Sequence, residues 1–394
     1  MIVLKEKNGC TGCAACISAC PKDCISMQPD REGFLYPEID KALCISCGKC
    51  EAVCPVSNRP EPTAASPEAY AVKAKDNNIR LNSSSGGVFT LLAEDILSQG
   101  GAVFGAEMSS DCKSARHVMV TTPAELSGLR GSKYLQSRLD QTFRQVRQEV
   151  DKRPVLFTGT PCQIDGLKSY LGRDYENLLC MEVICHGVPT QKLWAKYVEY
   201  MEAKLGGELV SVEFRHKKCG WHFFGNRLEN SNRRVLYSTL RTDSYMRIFL
   251  RDLCLRPSCY QCTAKGLDRR ADLTAGDFWG IEQVAPELDD DKGTSLVLSH
   301  SNKGRKALQR ILERCDWREV DCAAALKGNP AMLSPAKKPE MRAHFMDDLD
   351  HLSLAELQRR YVPVSAKDQG IALLQKTGLF SMARRVRKVL RGRR

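Results

Sequence analysis

The chain has 394 residues, 43% hydrophobic and 27% charged, which is the composition of an ordinary globular protein of two or three domains. No stretch approaches the roughly 20 apolar residues that span a bilayer, and the first ten residues lack the apolar core of a secretory signal. Nineteen cysteines would suit a disulfide scaffold only in a short chain, so a reducing cytoplasm is expected. The formal charge of +12 includes eight basic residues within 376–394, and no nucleic-acid groove is expected on the mildly basic remainder.

Two cysteine runs dominate the first 55 residues. They read Cys10-x2-Cys13-x2-Cys16-x3-Cys20-Pro21 and Cys44-x2-Cys47-x2-Cys50-x3-Cys54-Pro55. Each matches the bacterial [4Fe–4S] run, in which the fourth cysteine ligates the other cluster. Structural zinc, the competing assignment, needs only four ligands, typically two pairs separated by a longer loop. The predicted ligand sets are Cys10, Cys13, Cys16 and Cys54 for one cluster, and Cys44, Cys47, Cys50 and Cys20 for the other.

A proline-rich segment, 59–68, is predicted to be an extended linker between this unit and the rest of the chain. Beyond it, a strand over 69–74 leads to Ser84-Ser85-Gly86-Gly87 at the start of a helix. Exposed N–H groups at a helix N-terminus bind phosphate groups, so this stretch is a candidate phosphate-binding loop. The alternative is that a serine only caps the helix and the glycines only allow close packing. The loop with Ser132 and Lys133 also suits an anionic ligand, although a solvated loop is the commoner outcome.

Two βα units follow in succession. The strand 154–158 ends in Gly159-Thr160-Pro161-Cys162-Gln163, and the strand 178–184 ends in Cys185-His186-Gly187. In open α/β sheets, ligands bind at the carboxyl ends of the strands, so both cysteines are predicted to reach one edge. Taken singly, each cysteine also fits a buried small hydrophobe.

A further group of cysteines has the spacing Cys254-x4-Cys259-x2-Cys262. This spacing also begins a plant-type [2Fe–2S] run, which needs a distant fourth cysteine. The sequence therefore predicts a third metal site here, against the alternative of a chance group of buried thiols. Cysteines without partner spacing are interpreted as structural: Cys112, Cys180, Cys219, Cys315 and Cys322. Cys24 is interpreted as packing beside a cluster.

Six motifs in order make the region of about 69–322 resemble the family of coenzyme F420 hydrogenase/dehydrogenase beta subunits, in which an N-terminal ferredoxin fusion is common. The matching stretches are Ser84-Ser85-Gly86-Gly87-Val88-Phe89, Gly131-Ser132-Lys133-Tyr134, Gly159-Thr160-Pro161-Cys162-Gln163, Cys185-His186-Gly187-Val188-Pro189, Arg256-Pro257-Ser258-Cys259-Tyr260-Gln261-Cys262, and Asp272 with Gly276-Asp277-Phe278-Trp279-Gly280.

The resemblance implies an FAD-binding α/β core with a [4Fe–4S] cluster near the flavin. By position, the residues it assigns to the flavin are Ser84, Ser85, Gly86, Gly87, Ser132, Lys133, Gly159, Thr160 and His186. Cys259 and Cys262 are the inner-cluster ligands it supports most directly. Cys162 and Cys185 are assigned to the remaining positions, and Cys254 competes with them. The family fold does not fix the electron acceptor.

The expected fold class is α+β and α/β: a ferredoxin-like dicluster domain (1–58), the linker (59–68), a mixed α/β flavin-binding core and a helical, basic tail (326–394). Within the core, 69–150 corresponds to the family's N-terminal region and 151–325 to its C-terminal flavin and iron–sulfur region.

The expected function is an oxidoreductase that relays electrons between the ferredoxin-type clusters, the inner cluster and FAD, to or from a deazaflavin or another small acceptor. Its expected partner is a ferredoxin or a hydrogenase- or dehydrogenase-like subunit. The alternative is an electron-transfer subunit that serves a separate catalytic partner, for example in surface polysaccharide synthesis. Residues 376–394 fit a basic membrane-surface helix, which would make the protein peripheral at the inner membrane face, or a solvated tail.

Overall fold

The computed structural model describes residues 6–58 and 66–376. The strands in these residues are β1 (Ile25–Pro29), β2 (Leu35–Ile39), β3 (Glu68–Ala74), β4 (Ala102–Met108), β5 (Ala115–Val120), β6 (Ser137–Arg138), β7 (Val155–Gly159), β8 (Leu178–Val183), β9 (Leu209–His216), β10 (Gly225–Asn230), β11 (Val235–Thr239), β12 (Leu273–Asp277), β13 (Ser295–Ser299) and β14 (Cys315–Val320).

The α-helices in the same residues are α1 (Ala15–Ala19), α2 (Lys49–Ala52), α3 (Asn77–Leu81), α4 (Val88–Ser98), α5 (Leu126–Leu129), α6 (Thr142–Val150), α7 (Pro161–Leu171), α8 (Gln191–Leu205), α9 (Ser244–Phe249), α10 (Ile281–Val284), α11 (Asn302–Leu312), α12 (Cys322–Leu326), α13 (Pro330–Leu333), α14 (Arg342–His351), α15 (Leu354–Tyr361) and α16 (Ala366–Lys376).

A mixed sheet at the centre of the molecule has the strand order β14-β3-β13-β12-β8-β7-β4-β5-β6. Strands β12, β8, β7 and β4 are parallel to one another, and β3 runs in the same direction because β13 is antiparallel to both β3 and β12. The carboxyl ends of these five strands therefore share one edge. The strand Val155–Gly159 begins with a fully buried apolar run, as expected for a parallel strand covered on both faces. The predicted mixed α/β core is confirmed.

Helices cover both faces of this sheet. On one face, α4 and α11 contribute Leu91 and Leu308 to a shared apolar core. On the other face, α6 and α7 contribute Phe143 and Leu167 to a core that also contains Ile17 of the N-terminal unit. The N-terminal unit is thus part of the same packed body.

The N-terminal unit consists of the antiparallel pair β1–β2 and two short helices, α1 and α2, which contact each other. Three arginines from later in the chain fix it to the body. Arg144 donates to the carbonyl of Ser18, Arg256 donates to the carbonyl of Cys10, and Arg342 forms a two-pronged ion pair with Glu32.

A second core lies around the small sheet β11-β10-β9 and contains Trp194, Tyr245 and Phe345. The last of these belongs to the segment predicted as a tail, 326–394. Phe345 and Leu357 are fully buried, so this part of the predicted tail is a packed helical layer of the core. The amphipathic helix predicted for 376–394 lies, apart from the backbone of its first residue, outside the described residues. Within 6–58 and 66–376, no helix is long and apolar enough to cross a membrane.

Candidate functional site

Two cavities in the N-terminal unit gather the eight cysteines of the paired runs. One cavity, called here site 1, is lined by Cys10, Cys13, Cys16 and Cys54. The other cavity, called here site 2, is lined by Cys20, Cys44, Cys47 and Cys50. Each fourth cysteine lies at the cavity of the other run, which is the crossed arrangement that the spacing predicted.

The two cysteine loops have the same backbone conformation at equivalent positions. Two residues after the first cysteine of each run, Gly12 and Ser46 have φ values of 72° and 54°. Four residues after it, Ala14 and Gly48 have φ values of 59° and 73°. Left-handed backbone is costly for residues other than glycine, and its use at Ala14 and Ser46 is typical of ligand-binding loops.

The chemistry of site 1 fits a metal centre with a positively charged core. Desolvation raises the pKa of Cys13 to about 12, and the charges of Cys10 and Cys54 act in the same direction. Desolvation likewise raises the pKa of Cys16 above its usual range. One buried and three partly buried sulfurs at this distance favour the neutral thiol form, so the thiolate form needs a bound cation to stabilise it.

Cys24 lines site 2 together with the four cysteines of that site. Its sulfur lies 3.4 Å from that of Cys20, and the side chain is buried. This position agrees with the interpretation of Cys24 as a residue packed beside the predicted cluster.

Cysteines from three separate stretches form the inner group: Cys162, Cys185, Cys259 and Cys262. Cys162 is in the first turn of α7, Cys185 follows β8, and the other two lie in and directly after the 3₁₀ helix Pro257–Gln261. Burial raises the pKa of Cys162, and the charges of Cys185, Cys262 and Cys259 raise it further. The four thiols are therefore close enough for their charges to interact.

Cys254 is not among the groups whose charges act most on Cys162 and Cys259. Its side chain is fully buried in the core that contains Tyr245, and its carbonyl accepts a hydrogen bond of 2.9 Å from the N–H of Thr190. A bridge between Pro189 and Leu255 holds this stretch in place. Of the three competing cysteines, the structure brings Cys162 and Cys185 to Cys259 and Cys262.

Helix α7 connects site 1 to the inner group. A Cβ atom placed on Gly166 would lie 2.9 Å from Cβ and 3.0 Å from Sγ of Cys13. Gly166 is four residues after Cys162 in the same helix, which is a separation of about 6 Å along the axis. Only a glycine allows Cys13 to approach the helix backbone this closely.

The serine–glycine loop lies at the carboxyl end of β3. The hydroxyls of Ser84 and Ser132 are 2.9 Å apart, so two of the predicted flavin-binding loops meet. The hydroxyl of Ser85 donates to the carbonyl of Thr294 at 2.7 Å, and this hydroxyl is therefore used within the protein. Gly87 precedes α4 with a φ of 93°, and among the described residues no side chain caps that helix.

The remaining predicted flavin residues lie between α5 and β6, at the end of β7 and after β8. Lys133 donates to the carbonyls of Gly128 and Arg130, both at 2.8 Å, and burial lowers its pKa to about 7. Thr160, after Gly159, caps α7, and its hydroxyl lies 3.2 Å from the sulfur of Cys162.

His186 is held by two neighbours at the carboxyl end of β8. Its Nε2 lies 2.6 Å from Asp252, and its ring packs edge-on against Phe249 with ring centroids 5.2 Å apart. The ring next to Cys185 therefore has a fixed orientation.

Comparison with known proteins identifies the two parts of the chain. Residues 9–58 match a 4Fe-4S dicluster domain. Residues 69–143 and 152–321 match the N-terminal and C-terminal parts of the coenzyme F420 hydrogenase/dehydrogenase beta subunit, and together these two matches cover more than half of the chain. The chain belongs to this family. It is an iron–sulfur protein of the F420 hydrogenase/dehydrogenase type.

Individual relatives of this family member are distant. An F(420)H(2) dehydrogenase subunit of Methanosarcina mazei is 25% identical over 231 residues, which are 54% of this chain and 64% of the relative. The uncharacterized protein MJ1349 of Methanocaldococcus jannaschii is 24% identical over 203 residues, or 44% and 56% of the two chains. Ferredoxin 7Fe of Hydrogenibacillus schlegelii is 52% identical over 44 residues, or 11% and 50%. The chain spans about half to two thirds of the length of these curated relatives.

Among solved structures, the F420-reducing [NiFe] hydrogenase complex from Methanosarcina barkeri contains a chain that aligns with a TM-score of 0.44 and 16% identity. The alignment covers 64% of this chain and 81% of that chain.

Sequence reasoning missed Lys217, which supports the serine–glycine loop of this family member. Its amine donates to the carbonyls of Arg80 at 2.7 Å and Ser85 at 3.0 Å, and burial lowers its pKa to about 7. The signal for it was the basic run 215–218 at the end of β9. A buried amine among carbonyls fixes the loop that carries Ser84.

Proposed function

We propose that the chain is an iron–sulfur flavoprotein oxidoreductase that exchanges electrons between a partner protein and a small acceptor such as a deazaflavin. Three [4Fe–4S] clusters are assigned, one to site 1, one to site 2 and one to the inner group of Cys162, Cys185, Cys259 and Cys262. The observation that carries the proposal is the contact between Gly166 and Cys13, because it brings site 1 to the helix that begins beside the inner group.

When bound, iron–sulfur clusters exchange single electrons, and a flavin accepts two and passes them on as a hydride. The protein supplies the order of the sites. Site 2 is at the surface, since Cys47 is exposed and its neighbours Leu43 and Ile45 are 56% and 58% exposed. Site 1 is covered by Arg256 and Gly166, and the inner group lies at the sheet edge. The order from the surface inward is therefore site 2, site 1, inner group.

The flavin is assigned to the shared carboxyl edge of the five aligned strands. Ser84, Ser85, Gly86 and Gly87 would hold its pyrophosphate, because the uncapped start of α4 offers N–H groups to an anion. Residues with the same assignment on the neighbouring loops are Ser132, Lys133, Gly159, Thr160 and His186. Among the described residues, the hydrogen-bond partners of the Lys133 amine are two carbonyls, and the charge of Glu107 acts on it from nearby. A bound anion would add a direct negative partner.

The proposal is tested by replacing one inner cysteine. In Cys262→Ser, the eight N-terminal cysteines are intact, whereas the inner group has an oxygen ligand that binds iron poorly. We expect reduced ferredoxin to bleach the N-terminal clusters at the wild-type rate and to reduce the flavin slowly, as followed by stopped-flow absorbance. Cys322→Ser, at the start of α12, is the matched control and should behave as wild type. Flavin reduction at the wild-type rate in Cys262→Ser would contradict the assignment.

A second candidate function is an electron-transfer subunit that serves a separate catalytic partner and turns over no substrate itself. It is favoured by the relative from Methanosarcina mazei, which is described as a dehydrogenase subunit. The isolated chain, purified without oxygen, separates the two functions. Steady turnover of a small acceptor such as a deazaflavin would support the oxidoreductase. Reduction of the bound cofactors without turnover would support the electron-transfer role, with surface polysaccharide synthesis as one setting.

A reducing cytoplasm is the proposed location, because none of the nineteen cysteines, all of which lie within the described residues, forms a disulfide. Peripheral contact with the inner membrane face through 376–394 rests on the eight basic residues in that segment. Binding of the full chain to anionic vesicles, lost when 377–394 are removed, is the test of that contact.

A further inference from the structure

Arg256 lies at the boundary between site 1 and the inner group. Its side chain is buried, with the residue only 1% exposed. The guanidinium donates to the carbonyl of Cys10 at 2.8 Å and lies 3.7 Å from the sulfur of the same residue. It also donates to the carbonyl of Leu35 at 2.9 Å and to Oε1 of Gln136 at 3.1 Å. These four contacts fix the positive charge against a predicted cluster ligand.

Among the residues that the structure describes, the hydrogen-bond partners of the Arg256 side chain include no carboxylate. They are two carbonyls, an amide oxygen and a thiol, and the guanidinium also lies 4.3 Å from the ring centroid of Tyr36. The other two arginines of this contact differ, because Arg144 pairs with Asp23 at 2.7 Å and Arg342 pairs with Glu32 at 2.7 Å. A guanidinium stays protonated in proteins, and burial of an uncompensated charge is costly. A negative group that belongs to site 1 would remove this cost.

The same arginine also contacts the inner group, through its backbone. The N–H of Cys259 donates to the carbonyl of Arg256 at 2.8 Å. Arg256 therefore contacts a cysteine of site 1 with its side chain and a cysteine of the inner group with its main chain.

We propose that Arg256 is an electrostatic bridge that raises the reduction potentials of the clusters in site 1 and in the inner group relative to that of the cluster in site 2. Net charge and hydrogen bonds to the sulfurs are among the factors that set the potentials of iron–sulfur clusters. This inference rests on the proposed function, because it requires clusters at all three places. Arg256 is a positioning residue that acts through the ligands Cys10 and Cys259.

The consequence is a direction for electron movement. A single electron accepted at the exposed site 2 from a one-electron donor is drawn toward the two sites next to the buried cation. The donor is oxidised by one electron and the acceptor cluster is reduced by one, with no proton required. The arginine thus favours inward movement, from the surface to the sheet edge.

The test is a redox titration of the anaerobic holoprotein, followed by electron paramagnetic resonance, on Arg256→Gln and Arg256→Lys. The glutamine removes the charge, whereas the lysine retains it and loses the forked hydrogen bonds. In Arg256→Gln we expect two of the three cluster potentials to become more negative and the third to stay at the wild-type value. In Arg256→Lys all three should stay close to wild type, which separates charge from packing.

Arg342→Gln is the matched control, because it removes another buried arginine of the same contact whose charge is already paired with Glu32. It should lower thermal stability and leave all three potentials unchanged. The proposal is contradicted if Arg256→Gln changes none, only one or all three of the cluster reduction potentials. It is also contradicted if Arg256→Lys lowers the same two potentials as Arg256→Gln does. If Arg256→Gln does not fold, Arg256→Met, which also removes the charge, is titrated in its place with the same expected and contradicting results. Fewer than three cluster signals in the unmodified protein would instead contradict the proposed function.

Discussion

Replacement of Gly166 by alanine tests the contact between the N-terminal unit and the body. The new Cβ would lie 2.9 Å from Cβ and 3.0 Å from Sγ of Cys13, closer than such carbon atoms approach in folded proteins. Cys13 cannot retreat freely, because it lies partly buried in its loop and is a predicted iron ligand. Gly166→Ala should therefore separate α7 from the cysteine loop or strain both.

The magnitude follows from two opposing contributions. Overpacking of a dense core costs about 1–3 kcal/mol, whereas alanine in place of glycine within a helix contributes about 0.5–1 kcal/mol of stability. A net loss of about 1 kcal/mol is expected. Gly370→Ala is the matched control, since Gly370 is also inside a helix, α16, and its Cβ would meet nothing within 4 Å. That variant should gain about 0.5–1 kcal/mol, so the two differ by about 2 kcal/mol.

Thermal unfolding of the anaerobic holoprotein at one scan rate measures this difference. At about 2.1 cal/mol/K per residue, the entropy of unfolding of a 394-residue chain is about 0.8 kcal/mol/K. A difference of about 2 kcal/mol therefore separates the two midpoints by about 2–3 °C, with Gly166→Ala below wild type and Gly370→Ala above it. Equal or higher stability of Gly166→Ala would refute the close contact.

Three further predictions concern the inner group, the surface of site 2 and the effect of pH. Cys162→Ser should lower the iron content by about four atoms per chain, whereas Cys254→Ser should leave it unchanged. The reverse result would make Cys254 the cluster ligand and Cys162 a structural cysteine. Ile45 is exposed beside site 2, and Ile45→Asp should slow the reduction of the clusters by ferredoxin in stopped-flow absorbance. Reduction by dithionite should keep its rate, because a small reductant needs no apolar docking surface. Equal slowing with both reductants would mean that ferredoxin does not dock at this surface. Burial lowers the pKa of His117 and of His300 from 6.5 to about 4. Between these pH values the unfolded chain binds more protons than the folded chain. The free energy of unfolding should therefore fall as the pH drops from about 6.5 to 4. Each ring contributes up to about 1.4 kcal/mol per pH unit, and His117→Phe should reduce this slope in urea unfolding; an unchanged slope would argue against a buried neutral ring.

Local pattern was sufficient for much of the fold. The buried strand before Gly159 and the strand before Cys185 were evident from apolar runs, and the rule that ligands lie at the carboxyl ends of parallel strands placed them at one edge. The crossed cysteine sets follow from spacing, since one short loop surrounds three corners of a cluster. The helices that contain Phe345 and Leu357 were expected only as a tail, because amphipathicity does not reveal which core a helix joins.

Contacts between distant parts of the chain could not be predicted. Arg256 and Cys10 are 246 residues apart, and nothing in the local sequence of either indicates the other. The spacing from Cys254 to Cys259 suggested a shared site, whereas the backbone around Leu255 directs Cys254 into an apolar core. Cys162 has no helpful spacing to Cys259 and Cys262. The strand-end rule placed it at the sheet edge, but its approach to these two cysteines depends on the fold.

The most direct test of the central claim is the cofactor content of the chain purified without oxygen. Three [4Fe–4S] clusters require about twelve iron atoms and about twelve acid-labile sulfides per chain. Together with one FAD in the deproteinised extract, this is the result predicted here. About eight iron atoms without flavin would limit the chain to its N-terminal clusters, and zinc in place of iron would contradict the account altogether.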